Sequence, residues 1–218
     1  MEKLKLDREQ LLLYAVTDRM WEGKQTLEQQ TEEALKAGVT FLQLREKDLD
    51  TEKFLEKAKV MKEIAGRYHV PFVINDNVEV ALLCGADGVH VGQSDMEAGD
   101  VRQLIGPDKI LGVTAKTVEQ AKLAEKRGAD YLGVGTVFPT ATKPNAIAIT
   151  MDTVKEICQA VSIPVVVIGG INKNNASMFE GTGAAGLALV SAIFGQENIT
   201  EAVKDMMERA KKVAGTDK

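Results

Sequence analysis

The 218-residue chain is poor in cysteine, in basic runs and in long apolar stretches, and each lack excludes a class of protein. Its two cysteines, Cys84 and Cys158, lie far apart in apolar helical contexts and have no metal-ligand spacing. That leaves buried, reduced thiols, as expected of a cytoplasmic protein. A net charge of -5 with no long basic run argues against a general nucleic-acid binder. The sequence also carries no basic amphipathic helix that would suit a membrane surface. The N-terminal residues are charged, and the first apolar run, Leu11 to Val16, is too short for a signal core or a membrane span.

What is present is a core-forming fraction of 44% hydrophobic residues with 19 glycines to turn the chain. Short apolar runs alternate with amphipathic ones throughout. The strands expected are Leu11–Val16, Val39–Leu44, Phe72–Ile74, Gly88–Val91, Ile110–Val113, Tyr131–Val134, Val165–Ile168 and Gly186–Val190. Between them lie helical patterns. Capping-box spacings start those at Thr26 and Thr117, and glycine ends the first at Gly38. A short helix is expected over Asn174–Glu180.

One turn recurs. Ala37-Gly-Val-Thr, Gly85-Ala-Asp-Gly, Gly128-Ala-Asp-Tyr and Gly183-Ala-Ala-Gly each stop a helix and launch an even-numbered strand. Gly38, Gly85, Gly128 and Gly183 are separated by 47, 43 and 55 residues (85−38, 128−85, 183−128). A fourfold βαβα repeat closes naturally as a single α/β (β/α)8 TIM barrel spanning the chain. A doubly wound open sheet is the rival, but it would not require the repeat. No composition shift marks a second domain.

In a parallel barrel, ligands bind at strand C-terminal ends, and several strands here end in polar groups. Strand alternation places Phe41, Gln43 and Arg45 on one face and Leu42 and Leu44 on the other. The leucine face suits the helices, so Gln43 and Arg45 point inward or to the mouth, with Lys47 one alternation further. Asp76 and Asp95 follow adjacent strands. Each can be read as a helix-cap element, since Asp76-Asn-Val-Glu79 has capping-box spacing and Ser94 precedes Asp95. Together they also offer two carboxylates at neighbouring rim positions. Mg²⁺ is commonly held that way, with water and substrate phosphates completing its shell. His90, between Gly88 and Gly92 on strand four, is either a core histidine or a residue facing a ligand ring. Gly169-Gly170 and Ser191 occupy the usual barrel phosphate site. Between the two regions runs a loop with Thr140, Thr142 and Lys143. Two phosphate regions over one barrel imply a condensation with pyrophosphate leaving.

These pieces resemble the thiamine-phosphate synthase family from near Tyr14 to Ile193. The matching motifs are Tyr14-Ala-Val-Thr-Asp18, Gln43-Leu-Arg-Glu-Lys47, Ile74-Asn-Asp76, Gly88-Val-His-Val-Gly-Gln-Ser-Asp95, Phe138-Pro-Thr-Ala-Thr-Lys143, Gly169-Gly-Ile171 and Val190-Ser-Ala-Ile193. The resemblance implies a transferase joining hydroxymethylpyrimidine diphosphate to thiazole phosphate, giving thiamine phosphate and pyrophosphate. It implies that Gln43, Arg45, Lys47 and Asn75 bind the pyrimidine diphosphate, that Asp76 and Asp95 bind Mg²⁺, and that Thr114 is a pyrimidine-site hydroxyl. Thr140 and Thr142 would contact the thiazole phosphate and Lys143 the departing pyrophosphate, with Gly170, Val190 and Ser191 completing the thiazole-phosphate site. The implied chemistry is ionisation of the pyrimidine diphosphate followed by capture of the pyrimidinylmethyl cation by the thiazole nitrogen. Thr114 stands where the family commonly has Ser, Lys116 where His is frequent and Thr136 where Pro is. The partners implied are small-molecule substrates, with no nucleic acid or membrane; a homo-oligomer is left open. The rival readings are a thiazole tautomerase on the same barrel, which should not need Lys47, Asp76 and Asp95, and a non-catalytic binder of thiamine precursors.

Overall fold

The computed structural model describes residues 6–92, 97–140 and 148–216. Eight parallel strands close into a barrel in sequence order. They are β1 (Leu13–Val16), β2 (Phe41–Leu44), β3 (Phe72–Asn75), β4 (Gly88–Val91), β5 (Ile110–Ala115), β6 (Tyr131–Val134), β7 (Val165–Ile168) and β8 (Gly186–Leu189). Closure is made by β8 on β1, with Leu187 opposite Leu13. The expected alternation holds on β2. Phe41 packs in the inner cluster with Tyr14, Val73, Tyr131 and Val166. Leu42 and Leu44 pack in the outer cluster against the helices.

The outer layer is built from α1 (Leu27–Ala37), α2 (Thr51–Arg67), α3 (Val78–Leu83), α4 (Ala98–Ile105), α5 (Val118–Lys126), α6 (Met151–Ala160), α7 (Ser191–Phe194) and α8 (Ile199–Ala214). In α8, Ile199, Val203, Met206, Ala210 and Val213 are buried at alternating spacings of four and three, the stripe that a helix lays on a sheet. Thr26 and Gln29 close the expected capping box on α1. On α5, Thr117 caps Gln120 N–H, but the Gln120 side chain accepts from Lys116 N–H, one residue before the usual partner. No helix among the described residues is long and apolar enough to cross a membrane.

Two expectations are corrected. Leu11 ends a 3-10 turn (Arg8–Leu11) that tucks its side chain into the inner cluster, and β1 begins only at Leu13. The helix expected over Asn174–Glu180 is a single 3-10 turn, Ala176–Phe179, because an asparagine-rich start diverts backbone bonding into local turns. Both cysteines are free and half-buried, and burial pushes the Cys158 thiol up to about 11.

The repeated turn has a physical role. The residue two positions after the helix-stopping glycine uses its side chain to accept an N–H at the start of the preceding odd strand. Thr40 Oγ1 accepts from Leu13 N–H at 2.9 Å, Asp87 from Phe72 N–H at 2.8 Å, and Asp130 from Leu111 N–H at 2.8 Å. Each aspartate is also tied to a cation of the helix that leads into that odd strand, Lys62 of α2 at 2.7 Å and Arg102 of α4 at 2.6 Å. In the fourth copy Ala185 has no such group, and Arg8 instead donates to the Gly183 and Ala184 carbonyls. Side chains of Asp130 and Asp87 are 9% and 39% exposed, so the two anchors should differ in weight. Asp130→Ala should cost about 3 kcal/mol and Asp87→Ala roughly half as much in urea unfolding. Equal losses would contradict burial as the source of the difference.

Candidate active site

A cavity of about 360 Å³ opens at the C-terminal ends of the strands. Tyr14 lines its floor, and beneath it Tyr14, Phe41 and Tyr131 pack in tilted and edge-to-face pairs at centroid separations of 4.6 to 5.9 Å. Gln43 and Arg45 line it from β2, as alternation requires, and Lys47 follows at the mouth. Asn75 and Asp76 line it from the end of β3, His90 from β4 and Thr114 from β5. Thr140, Gly170, Val190 and Ser191 line the opposite side. Asp95, Thr142 and Lys143 lie outside the described residues.

The polar groups at the floor are connected. Gln43 Nε2 donates to the Tyr14 hydroxyl. The Tyr14 hydroxyl lies 2.7 Å from that of Tyr131, which lies 2.9 Å from His90 Nδ1. His90 Nε2 lies 3.0 Å from Thr114 Oγ1. His90 thus faces the cavity and is hydrogen-bonded on both ring nitrogens, so it is at once a core histidine and a wall residue. The space for this arrangement comes from glycine. A Cβ at Gly112 would stand 2.3 Å from the Tyr131 hydroxyl, and one at Gly133 would stand 3.0 Å from His90 Cε1. Burial pushes the phenols of Tyr14 and Tyr131 well above their ordinary value of 10.0.

Charge is concentrated over β1 to β3. Arg45 Nη1 pairs with Asp18 at 2.9 Å, and Arg45 N–H donates to Thr17 Oγ1 at 3.1 Å, so the end of β1 holds the end of β2. Lys47 Nζ lies 2.5 Å from Asp76. Between them Glu46 points away from the cavity and pairs with Arg19 at 2.8 Å; its burial raises the carboxyl pKa, which Arg19 opposes. The capping reading of Asp76 is corrected. Asn77 caps α3 by accepting from Val80 N–H, and Asp76 sits in the left-handed region at φ 62°, its side chain turned to Lys47. Such a backbone is uncommon outside glycine, and aspartate is among the residues that adopt it most readily. Among the described residues no cluster of three or more potential metal ligands occurs. One or two carboxylates are all that Mg²⁺ needs when a phosphate supplies the rest, so this donor set fits that ion.

On the far side, Gly169 and Gly170 have φ of 103° and 66°. The chain after β6 presses on them: a Cβ at Gly170 would lie 2.4 Å from the Pro139 carbonyl oxygen, and one at Gly169 would overlap Thr136 Oγ1. Bare backbone therefore faces the cavity there. Sequence reasoning missed Asp18, Tyr14 and Tyr131 as site residues. Alternation with Val16 marks Tyr14, and alternation with Gly133 marks Tyr131, but nothing local shows that the two meet.

A (β/α)8 barrel with a cation-bearing cavity at its strand ends and a diglycine turn after β7 has the build of barrels that take small phosphorylated ligands. Residues 13–193 match the family described as Thiamine monophosphate synthase, and the chain belongs to that family. It is 47% identical to the thiamine-phosphate synthase of Clostridium botulinum over 201 residues, 92% of this chain and 94% of that one. It is 49% identical to the thiamine-phosphate synthase of Ruminiclostridium cellulolyticum over 196 residues, 90% and 93% of the two chains. The solved thiamine phosphate pyrophosphorylase of Pyrococcus furiosus superimposes with a TM-score of 0.86 at 38% identity, covering 94% and 98%.

The buried phenols predict an alkaline weakness. From about pH 10 upward the unfolded chain sheds phenolic protons that the folded chain keeps. Stability should therefore be unaffected by these groups below pH 9 and fall above pH 10, by about 1.4 kcal/mol per pH unit for each phenol. Urea melts across that range, with ultraviolet titration of the folded protein, measure this. Phenolate absorbance below pH 11 that disappears in Tyr14→Phe would contradict it.

Proposed function

We propose that this chain is a thiamine-phosphate synthase: a transferase that condenses hydroxymethylpyrimidine diphosphate with thiazole phosphate, giving thiamine phosphate and pyrophosphate. The observation that carries the reading is the gathering of the Gln43-to-Lys47 motif, Asn75, Asp76 and the Gly169-Gly170 turn around one cavity, in a chain of this family.

In this reading the pyrimidine ring lies over the floor, against Gln43, His90 and Thr114, and its diphosphate reaches Arg45, Lys47 and Asn75. Asp76, with Asp95, would hold Mg²⁺, which supplies Lewis-acid neutralisation of the leaving diphosphate. The Lys47–Asp76 contact of 2.5 Å supports this division, with the cation meeting the diphosphate directly and the carboxylate through the metal. Thr140, Thr142, Gly170, Val190 and Ser191 receive the thiazole phosphate, using hydroxyls and bare backbone. Lys143 then meets the pyrophosphate as it departs. The bond from the pyrimidine methylene to the diphosphate oxygen breaks with its electron pair leaving on oxygen, and the thiazole nitrogen supplies the pair for the new carbon–nitrogen bond. No protein nucleophile is needed, and the chain's contribution is charge stabilisation and placement. Nucleic acid and membrane have no part in this reaction, which suits a cytoplasmic enzyme, alone or as a homo-oligomer.

Pyrophosphate release should require a divalent metal and both organic substrates. Asp76→Asn should abolish most turnover without loss of folding, because Asn77 and not Asp76 caps α3. Lys143→Ala should lower kcat by about tenfold to a hundredfold with a smaller change in KM, the signature of a charge-assisted contact made in the transition state. Coupled pyrophosphate detection with and without EDTA measures all three. Metal-independent turnover would contradict the mechanism, isomerisation without pyrophosphate would favour a tautomerase, and binding without turnover would leave a sensor.

A further inference from the structure

Gln43, Tyr14, Tyr131, His90 and Thr114 come from five strands, yet their side chains form one unbroken hydrogen-bond chain across the barrel. Such a chain has a direction, because each hydroxyl has one hydrogen and a neutral imidazole has one N–H. An amide nitrogen can only donate. With Gln43 Nε2 on the Tyr14 oxygen, Tyr14 must give its hydrogen to Tyr131, and Tyr131 must give its own to His90 Nδ1. His90 then carries its hydrogen on Nε2 and donates to Thr114 Oγ1. Reversal would need every member to turn at once, including the Gln43 amide.

The site favours one of the two directions. Gln43 is 4% exposed and lines the cavity; among the described residues its side-chain amide bonds only through Nε2, and its Oε1 is not among the buried atoms left without a partner, so the carbonyl end is the one open to the cavity. Arg45 and Lys47 follow on the same strand end, and a carbonyl dipole beside cations is favourable where an amide N–H would be repelled. Both tyrosines are fully buried in a low-dielectric floor, where a chain of bonds polarises its members cooperatively.

We propose that Tyr131 is a positioning residue: the hydroxyl relay through it locks His90 in the Nε2–H tautomer and holds the Gln43 carbonyl toward the cavity. The consequence, which rests on the pyrimidine reading of this floor, is that the ring must bring an N–H donor to Gln43. A ring with an exocyclic amine there is accepted, and one with an oxo group meets a carbonyl.

Nitrogen-15 NMR of the histidine rings tests the relay without any ligand. The chain has two histidines, and His69→Gln leaves only His90 to observe. The wild-type floor should give a protonated Nε2 and an unprotonated Nδ1. Tyr131→Phe should shift His90 toward a tautomer mixture, whereas Tyr14→Phe should leave the His90 signature intact because Tyr131 can still donate. In calorimetry with the monophosphates of the amino-pyrimidine and its oxo counterpart, wild type should prefer the amine by roughly tenfold or more. Either Tyr→Phe variant should reduce that preference several-fold. A protonated Nδ1 in the wild type, or a Tyr131→Phe protein with unchanged tautomer and preference, would overturn the proposal. If neither pyrimidine binds the wild type, the functional reading fails while the tautomer result still decides the relay.

Discussion

The hydrogen bond between the Tyr14 and Tyr131 hydroxyls is the contact on which the floor of this barrel depends. It joins β1 to β6 across the barrel interior, where both phenols are almost wholly shut off from solvent. Two buried hydroxyls left unmatched would each cost on the order of 1–3 kcal/mol. Paired with each other, and then with Gln43 and His90, they let the floor be aromatic and polar together. The pairing also dictates what the neighbouring strands can carry. Gly112 and Gly133 exist as bare backbone because the Tyr131 and His90 rings occupy the space that a side chain would need.

Barrel closure does the rest of the positioning. Because all eight strands run the same way, their polar ends converge on one rim, and residues distant in sequence become neighbours. Around that rim the chemistry divides. Cations and carboxylates gather over β2 and β3, braced by Thr17 and Asp18 at the end of β1. Opposite them the diglycine turn after β7 presents backbone, pressed against the chain that leaves β6. A diphosphate with a metal suits the first side, and a monophosphate suits the second. In the proposed reading this arrangement would keep the two anionic groups apart while bringing the rings they carry together over a shared floor.

Much of this was legible in the sequence, and the residues show why. The recurring glycine turn announced the barrel because it does the same mechanical job in three of its four copies, anchoring the preceding strand through Thr40, Asp87 and Asp130. Gln43 and Arg45 were legible from period-two alternation alone, since a one-residue shift would bury charge against the helices. Asp76 was ambiguous because two neighbouring residues could cap α3, and only backbone geometry assigns that role to Asn77. The Tyr14–Tyr131 contact spans 117 residues, and no local pattern encodes a pairing made by closure. The short first strand escaped for a related reason: Leu11 and Leu12 look like strand, but a turn capped by Asp7 uses Leu11 to plug the barrel.

The central claim is that the metal and the leaving diphosphate lie on the β2–β3 side while the thiazole phosphate lies on the β7–β8 side. Phosphorus-31 relaxation with Mn²⁺ in place of Mg²⁺ tests it most directly, because paramagnetic relaxation falls steeply with distance from the ion. In a complex with pyrophosphate and thiazole phosphate, the pyrophosphate resonance should relax much faster than the thiazole phosphate. Asp76→Asn should weaken that enhancement. Equal relaxation of both phosphates, or faster relaxation of the thiazole phosphate, would contradict the account.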